Sequence, residues 1–150
     1  MPTSTRRASL VIAALSIAGL SMLAAGTRGE RPPLGPKAVE AMLDDWHDAA
    51  SRADGVRYFG HMTSDAVFLG TDATERWTLE EFRAFAKPYF DQGRGWTYLP
   101  RERHVMLSHD GSVAWFDEVL DNAKFGECRG SGVALRDQLW RFPLVAGVGQ

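Results

Sequence analysis

Two adjacent carboxylates, Asp117 and Glu118, lie on a predicted strand, and Arg129 lies on the strand predicted to follow it. Neighbouring strand residues point to opposite faces, so one carboxylate faces the interior of the domain and the other faces outward. Burial raises the pKa of a carboxylate and makes it a usable general base near neutral pH, while a guanidinium can stabilise a developing oxyanion. The trio therefore predicts either acid–base chemistry or a cross-strand salt bridge that serves only the fold.

The pairing of these two strands decides which carboxylate lies beside Arg129. A two-residue turn beginning at Asn122 would place Glu118 opposite Glu127, which sets like charges against each other. A slip of one residue instead places Asp117 opposite Arg129 and removes that repulsion. The sequence thus favours the second register and an interior Asp117–Arg129 ion pair.

The elements that carry these residues follow from the spacing of apolar side chains. Pro36 suits the first turn of a helix, and five apolar residues recur after it on one helical face: Val39, Met42, Leu43, Trp46 and Ala50. A shorter helix is predicted over residues 56–62. Thr78 and Glu81 match a capping box and begin a third amphipathic helix, which Pro88 should kink or end.

The pattern then changes to strands. A short buried strand is predicted at 66–69, and longer strands at 96–108, 113–121 and 124–136. Asp110-Gly111 indicates a tight hairpin, and Pro100 indicates a sheet edge or a bulge. Helices followed by a meander of strands predict an α+β fold, with the helices packed on one face of a curved antiparallel sheet.

Composition places these elements in one ordinary domain. The 150 residues are 45% hydrophobic and 24% charged, with a net charge of −2 and a pI of about 6.1. This balance argues against a nucleic-acid binder. The single cysteine excludes an internal disulfide framework, and no phosphate loop or zinc-ligand spacing occurs. We therefore predict no cofactor and no metal.

The first 26 residues have the parts of a secretory signal peptide. Arg6 and Arg7 precede an apolar run at 10–25, which is shorter than a bilayer span, and small residues follow it. Residues 1–26 are thus predicted to direct export to the periplasm or the cell exterior, by the general or the twin-arginine route, with a retained anchor as the alternative. Residues 27–36 are proline-rich and predict a linker.

Three stretches resemble a known family: GTDATERW at 70–77, AWFDE at 114–118 and RGSGV at 129–133. Together with the order of elements over 37–141, they resemble the SnoaL-like members of the NTF2-like superfamily, which also contains ketosteroid isomerase and scytalone dehydratase. The resemblance implies a cone-shaped sheet wrapped around about three N-terminal helices. It also implies a homodimer formed through the outer sheet face. It does not fix the activity, because this fold hosts enzymes and non-enzymatic adaptors alike.

In the enzymes of this group, a few polar residues lie in an apolar pocket inside the cone. The resemblance therefore implies Asp117 or His47 as a base and Arg129 as the oxyanion partner. The remaining candidates would line the pocket: Trp46, Tyr58, Asp72, Glu75, Trp77, Trp115 and Glu118. Each has a structural alternative, such as a turn for Asp72, an arginine partner for Glu75 or a place at the core margin for His47. Arg101, Arg103 and His104 form a cluster expected on a solvated or dimer-facing surface.

Two functions remain open at this level. The first is an exported domain that binds a small hydrophobic molecule without turnover. The second is a cofactor-free isomerase, dehydratase or cyclase that acts on a hydrophobic carbonyl compound. After signal cleavage neither function involves a membrane.

The C-terminus departs from the family pattern. Trp140-Arg141 begins like the usual last strand, but Pro143 follows, and residues 142–150 lack polar alternation. A proline in an interior strand removes a ladder hydrogen bond. The last strand is therefore in doubt, and either a frameshifted end or an edge strand in a divergent member would explain the sequence.

Overall fold

A computed structural model describes residues 35–70 and 72–149 and contains three helices and a six-stranded sheet. In chain order the elements are α1 (Pro36–Ser51), α2 (Gly55–Gly60), β1 (Met62–Leu69), β2 (Arg76–Thr78), α3 (Leu79–Phe90), β3 (Leu99–Leu107), β4 (Val113–Asn122), β5 (Gly126–Arg136) and β6 (Trp140–Gly149). The α+β prediction is confirmed. The predicted signal peptide at 1–26 lies outside the described residues, as does the predicted linker except for its last two residues.

The helices begin where local chemistry favours them. Pro36 occupies the first turn of α1, and the predicted apolar face of that helix is buried. Thr78 and Glu81 form the predicted capping box of α3: the Thr78 Oγ1 accepts from the Glu81 amide at 3.3 Å, and the Glu81 carboxylate accepts from the Thr78 amide at 2.8 Å. The helix continues two residues beyond Pro88. Helix α2 ends at Gly60, earlier than predicted, because β1 already begins at Met62.

The strands lie in the order β2-β1-β6-β5-β4-β3. All neighbours are antiparallel except β1 and β6, which are parallel, so the sheet is mixed. Strand β6 therefore lies inside the sheet: the last strand, which the sequence left in doubt, is present, and the alternative of an edge strand was wrong. Pro143 is tolerated because it lies where the β6 ladders to β1 and to β5 both shift register.

The β4–β5 pairing differs from the predicted register by two residues. Asp117 lies opposite Ser131, and Val119 lies opposite Arg129. The reason is the loop: the side chain of Asn122 accepts the amides of Lys124 and Phe125, and Gly126 closes the turn with a φ of +75°. The turn is thus longer than the two residues that the sequence suggested.

The helices pack on the concave face of the sheet and form the core with it. Gly132 lets the Phe116 ring and the Leu144 carbonyl approach its backbone, because a Cβ at this position would lie 2.8 Å from both. The helices thus cover the concave face of the sheet and leave its convex face open.

Within the described residues, no helix has both the length and the apolar character needed to cross a bilayer.

Candidate functional site

A cavity of about 400 Å³ lies between the helices and the concave face of the sheet. This volume is within the usual range of small-molecule sites, which are mostly apolar with a few polar groups. Most of the side chains around the cavity are aromatic, and they come from the three helices, the sheet and the loops before β3 and β5: Trp46, Tyr58, Phe68, Trp77, Phe82, Phe85, Tyr89, Trp96, Tyr98, Phe116 and Phe125. The cavity could therefore hold an apolar, ring-containing molecule.

Part of the cavity wall is a stack of nearly parallel rings. The rings of Phe68, Trp77 and Phe82 form a triangle of nearly parallel rings, with Phe82 at 3.9 Å from Phe68 and 5.7 Å from Trp77 and interplanar angles of 16° and 19°. Phe68 and Trp77 are 5.9 Å apart at 12°. Trp46 stacks on Tyr58 at 5.1 Å in a second such contact. Aromatic packing of this kind holds the rings in fixed orientations. The wall is therefore shaped before any ligand binds.

Two polar side chains of the cavity wall form a hydrogen-bonded pair. His47 comes from α1, one turn after Leu43, and Glu118 comes from the inward-facing side of β4. The His47 Nε2 lies 2.9 Å from the Glu118 Oε2. Their side chains are 10% and 1% exposed, so the contact is screened from bulk water. A paired imidazole and carboxylate next to an apolar cavity is the group pair that general acid–base catalysis uses.

Arg103 of β3 completes the environment of Glu118. It lies directly opposite Glu118 across the β3–β4 ladder, and its Nε donates to the Glu118 Oε1 at 2.6 Å. One Nη of the same guanidinium donates to the Asp44 carboxylate at 2.7 Å and to the Glu40 carbonyl at 3.0 Å. The arginine thereby joins α1 to the sheet behind the cavity.

These contacts determine the charge of Glu118. Burial alone would raise the pKa of this carboxyl group, but the hydrogen bond and charge of His47, and after them the charge and hydrogen bond of Arg103, outweigh burial and hold the pKa below its ordinary value. Burial also opposes the charge of Arg103, yet Glu118 and Asp44 raise the pKa of the guanidinium. Both groups are therefore charged at neutral pH.

Six of the ten predicted site residues border the cavity: His47, Trp46, Tyr58, Glu75, Trp77 and Glu118. Asp72 does not. Its carboxylate accepts the amide and the hydroxyl of Thr74 at 2.8 and 2.6 Å, which is the turn-forming alternative named for it.

The predicted interior ion pair lies on the convex face instead. Arg129 donates to Asp117 at 3.0 Å, and the two side chains are 65% and 35% exposed. Trp115 lies on the same face and is 42% exposed. Asp117, Arg129 and Trp115 are therefore separated from the cavity by the sheet, and Glu118 is the carboxylate of the adjacent pair that points inward.

The sequence analysis missed Arg103, which it placed on a solvated surface with Arg101 and His104. Arg101 and His104 do lie outward, where Arg101 pairs with Asp121 and Glu127. Arg103 points to the opposite face. The signal was present, because a tight turn at Asp110-Gly111 sets a register that puts Arg103 opposite Glu118.

Other cavity residues that were not named as candidates include Tyr98, Phe116 and Lys124. Phe116 is two residues before Glu118 on β4, so strand alternation would have indicated the same face. Lys124 lies in the β4–β5 loop, where no periodic signal exists. In the described ranges, no cluster of three or more His, Cys, Asp or Glu side chains has the arrangement of a metal site.

The family profile of the SnoaL-like domain matches residues 39–143. The chain therefore belongs to the SnoaL-like domain family. No protein with a curated description matches the sequence.

Solved structures of the same fold are distant in sequence. An NTF2-like protein of unknown function from Pseudomonas putida KT2440 matches with a TM-score of 0.62 and 12% identity, over 73% of this chain and 82% of that one. A putative scytalone dehydratase from Novosphingobium aromaticivorans matches with 0.60 and 11%, over 73% and 80%. A putative calcium/calmodulin-dependent protein kinase II association domain from Xanthomonas campestris matches with 0.54 and 18%, over 74% and 84%. At these identities the likeness establishes the NTF2-like cone fold alone.

Proposed function

We propose that this SnoaL-like domain binds a small hydrophobic molecule in the cavity between its helices and the concave face of the sheet. The observation that carries the proposal is the buried His47–Glu118 pair in a wall that is otherwise mostly aromatic. An apolar wall supplies affinity through the burial of apolar surface, and a few polar groups orient the ligand.

A thermal melt of the protein without residues 1–26, with and without a panel of hydrophobic ketones, tests binding. A ligand that binds the folded state alone adds about 2.7 kcal/mol to the free energy of unfolding at a hundredfold excess over Kd. Val145→Phe would place a large ring in the cavity, because Val145 lies beside Phe68 and opposite Gly132 on the inward face of the sheet, and it should abolish the shift. Asp117→Asn, which changes an exposed pair on the convex face, is the control and should keep it. A panel that shifts neither the parent protein nor the control would count against a ketone ligand.

The second candidate function is a cofactor-free isomerase, dehydratase or cyclase, and the His47–Glu118 contact favours it. In this hypothesis His47 takes a proton from a carbon next to a carbonyl group, and Glu118 stabilises the imidazolium that results. Arg129 is not the oxyanion partner in this hypothesis, because the sheet separates it from the cavity. Among the polar residues that border the cavity, Tyr98 could donate its hydroxyl to an oxyanion.

Proton abstraction from a bound ketone distinguishes an enzyme from a domain that only binds the ketone. Exchange of the ligand's acidic protons in deuterated water, followed by NMR, reports proton abstraction even when no product accumulates. His47→Gln should stop the exchange and keep binding, whereas Asp117→Asn should leave both unchanged. Binding without any exchange in the parent protein would support the binding function alone.

Export and dimerisation are two further parts of the proposal. The charge and length pattern of residues 1–26 supports export, which a fusion of these residues to a periplasmic reporter would test. For dimerisation, the support is a set of apolar side chains exposed on the convex face by 39–42%: Met106, Trp115 and Leu135. We expect a homodimer through this face, which Trp115→Glu should convert to a monomer in analytical ultracentrifugation.

A further inference from the structure

Each carboxylate oxygen of Glu118 has its own hydrogen-bond partner. The Oε1 accepts from the Arg103 Nε at 2.6 Å, and the Oε2 lies 2.9 Å from the His47 Nε2. The exposed fractions of the three side chains are 1% for Glu118, 12% for Arg103 and 10% for His47. With so little contact with water, the location of the protons in this trio depends chiefly on the three groups themselves.

The charges that face Glu118 come from a small number of elements. Helix α1 contributes His47 directly and Asp44 through Arg103, and β3 contributes Arg103. On β5 the residue opposite Glu118 is Gly130, which has no side chain. Within the described part of the chain, Arg103 is therefore the one permanent positive charge in contact with Glu118.

We propose that Arg103 is a positioning residue that keeps Glu118 ionised and thereby fixes the proton of neutral His47 on Nε2. An ionised carboxylate has no proton to donate, so the hydrogen atom between Glu118 and His47 must belong to the imidazole. The Nδ1 of His47 then carries the free lone pair, and no described residue donates a hydrogen bond to it. Only the last step, in which Nδ1 takes a proton from a ligand, rests on the proposed function.

A purely structural role for Arg103 explains less of its environment. The contacts with Asp44 and the Glu40 carbonyl would be enough to join β3 to α1. Yet the Arg103 Nη2 is buried without a hydrogen-bond partner in the described residues, which opposes folding. A well-packed apolar residue can replace a buried ion pair at little or no loss of stability. The feature that an apolar residue cannot supply here is the positive charge beside Glu118.

Arg103→Gln, Arg103→Lys and Arg101→Gln test this role by NMR without any ligand. Arg101 is a matched control because it lies on the same strand, and its pairs with Asp121 and Glu127 are exposed. Two-bond ¹H–¹⁵N spectra report which imidazole nitrogen carries the proton, with His47→Gln to assign the signals. Carboxyl ¹³C titration, assigned with Glu118→Gln, reports the pKa of Glu118.

In the parent protein we expect the proton of neutral His47 on Nε2 and a pKa of Glu118 below its ordinary value of about 4.3. Arg103→Gln should raise the pKa of Glu118 above that value and produce a mixture of the two His47 tautomers. Arg103→Lys keeps the positive charge and should restore an ionised Glu118, and Arg101→Gln should change neither signal. A loss of packing alone would not produce this pattern.

The proposal is overturned if neutral His47 carries its proton on Nδ1 in the parent protein. It is also overturned if Arg103→Gln folds and leaves the titration of Glu118 unmoved. Should Arg103→Gln fail to fold, the tautomer in the parent protein and the Glu118 titration in Arg103→Lys still decide. These measurements need no ligand, so their outcome does not depend on the ketone panel. Failure of the Arg103 proposal can therefore be told apart from failure of the proposed ligand binding.

Discussion

Phe116 and Gly132 are cross-strand partners, and the Phe116 ring lies against the backbone of Gly132 where a side chain would otherwise project. This contact brings the ring close to β5 on the concave face, where it borders the cavity.

Gly132→Ala should therefore destabilise the domain by roughly 1–3 kcal/mol, because an added Cβ would lie 2.8 Å from both the Phe116 ring and the Leu144 carbonyl, and a backbone atom of the sheet cannot easily move. Urea unfolding measures the change. Gly130→Ala is the control, since its Cβ would meet the end of the Leu120 side chain at 3.1 Å, a smaller overlap that involves no backbone atom. Equal losses for the two variants would contradict the argument.

Glu118→Gln and Asp117→Asn compare adjacent carboxylates on opposite faces of β4. The first removes the buried partner of Arg103 and should cost about 3 kcal/mol of stability, the lower end for a broken buried pair, because Asp44 still contacts the guanidinium. The second breaks an exposed pair with Arg129 and should cost less than about 1 kcal/mol. Denaturant titration of both variants gives the two values. A larger loss for Asp117→Asn would mean that the inward-facing carboxylate is misassigned.

Lowering the pH should reduce the contribution of Glu118 to the stability of the folded protein. Its pKa is held low in the folded protein, so its stabilising effect is present above its ordinary pKa of about 4.3 and is lost as the pH falls through the lower folded value. The difference in unfolding free energy between the parent protein and Glu118→Gln should therefore shrink steadily below pH 4. Asp110 and Asp137 also have low pKa values, both about 2, but they are common to both proteins and cancel. A constant difference from pH 7 to pH 2 would contradict the assignment.

Thr78→Ala should remove the hydroxyl that accepts the Glu81 amide at the start of α3. Loss of such a cap costs about 1 kcal/mol, and Thr78→Ser should recover most of it because the serine keeps the oxygen. Thermal unfolding of the two variants provides the measurement. If serine is no better than alanine, packing of the threonine methyl group rather than capping explains the effect.

Short-range signals predicted much of the fold. Pro36 and the capping box located the starts of α1 and α3, and the Asp110-Gly111 turn located the β3–β4 hairpin. The β4–β5 register could not be predicted in the same way, since it depends on a side-chain interaction of Asn122 and on the left-handed conformation of Gly126. Nothing in the spacing of the apolar residues distinguishes that loop from a shorter one.

The site was only partly predictable for a related reason. His47 and Glu118 are 71 positions apart and meet because α1 packs on the concave face of β4, a contact that local patterns do not encode. Alternation along β4 did show that one of Asp117 and Glu118 faces inward, but the choice between them needed the correct register. The aromatic lining was easier to anticipate, because large apolar residues on amphipathic elements point towards the core.

Strand β6 holds the two halves of the sheet together, since β2 and β1 lie on one side of it and β5, β4 and β3 lie on the other. The inner edge of β1, the first strand, therefore stays unpaired during folding until β6, the last strand, pairs with it. Such non-local pairing implies a slow folding step, during which β1 presents unpaired amide and carbonyl groups to other chains. Refolding kinetics and aggregation during refolding should thus respond more strongly to changes in β6 than to equal losses of stability in the β3–β4 hairpin.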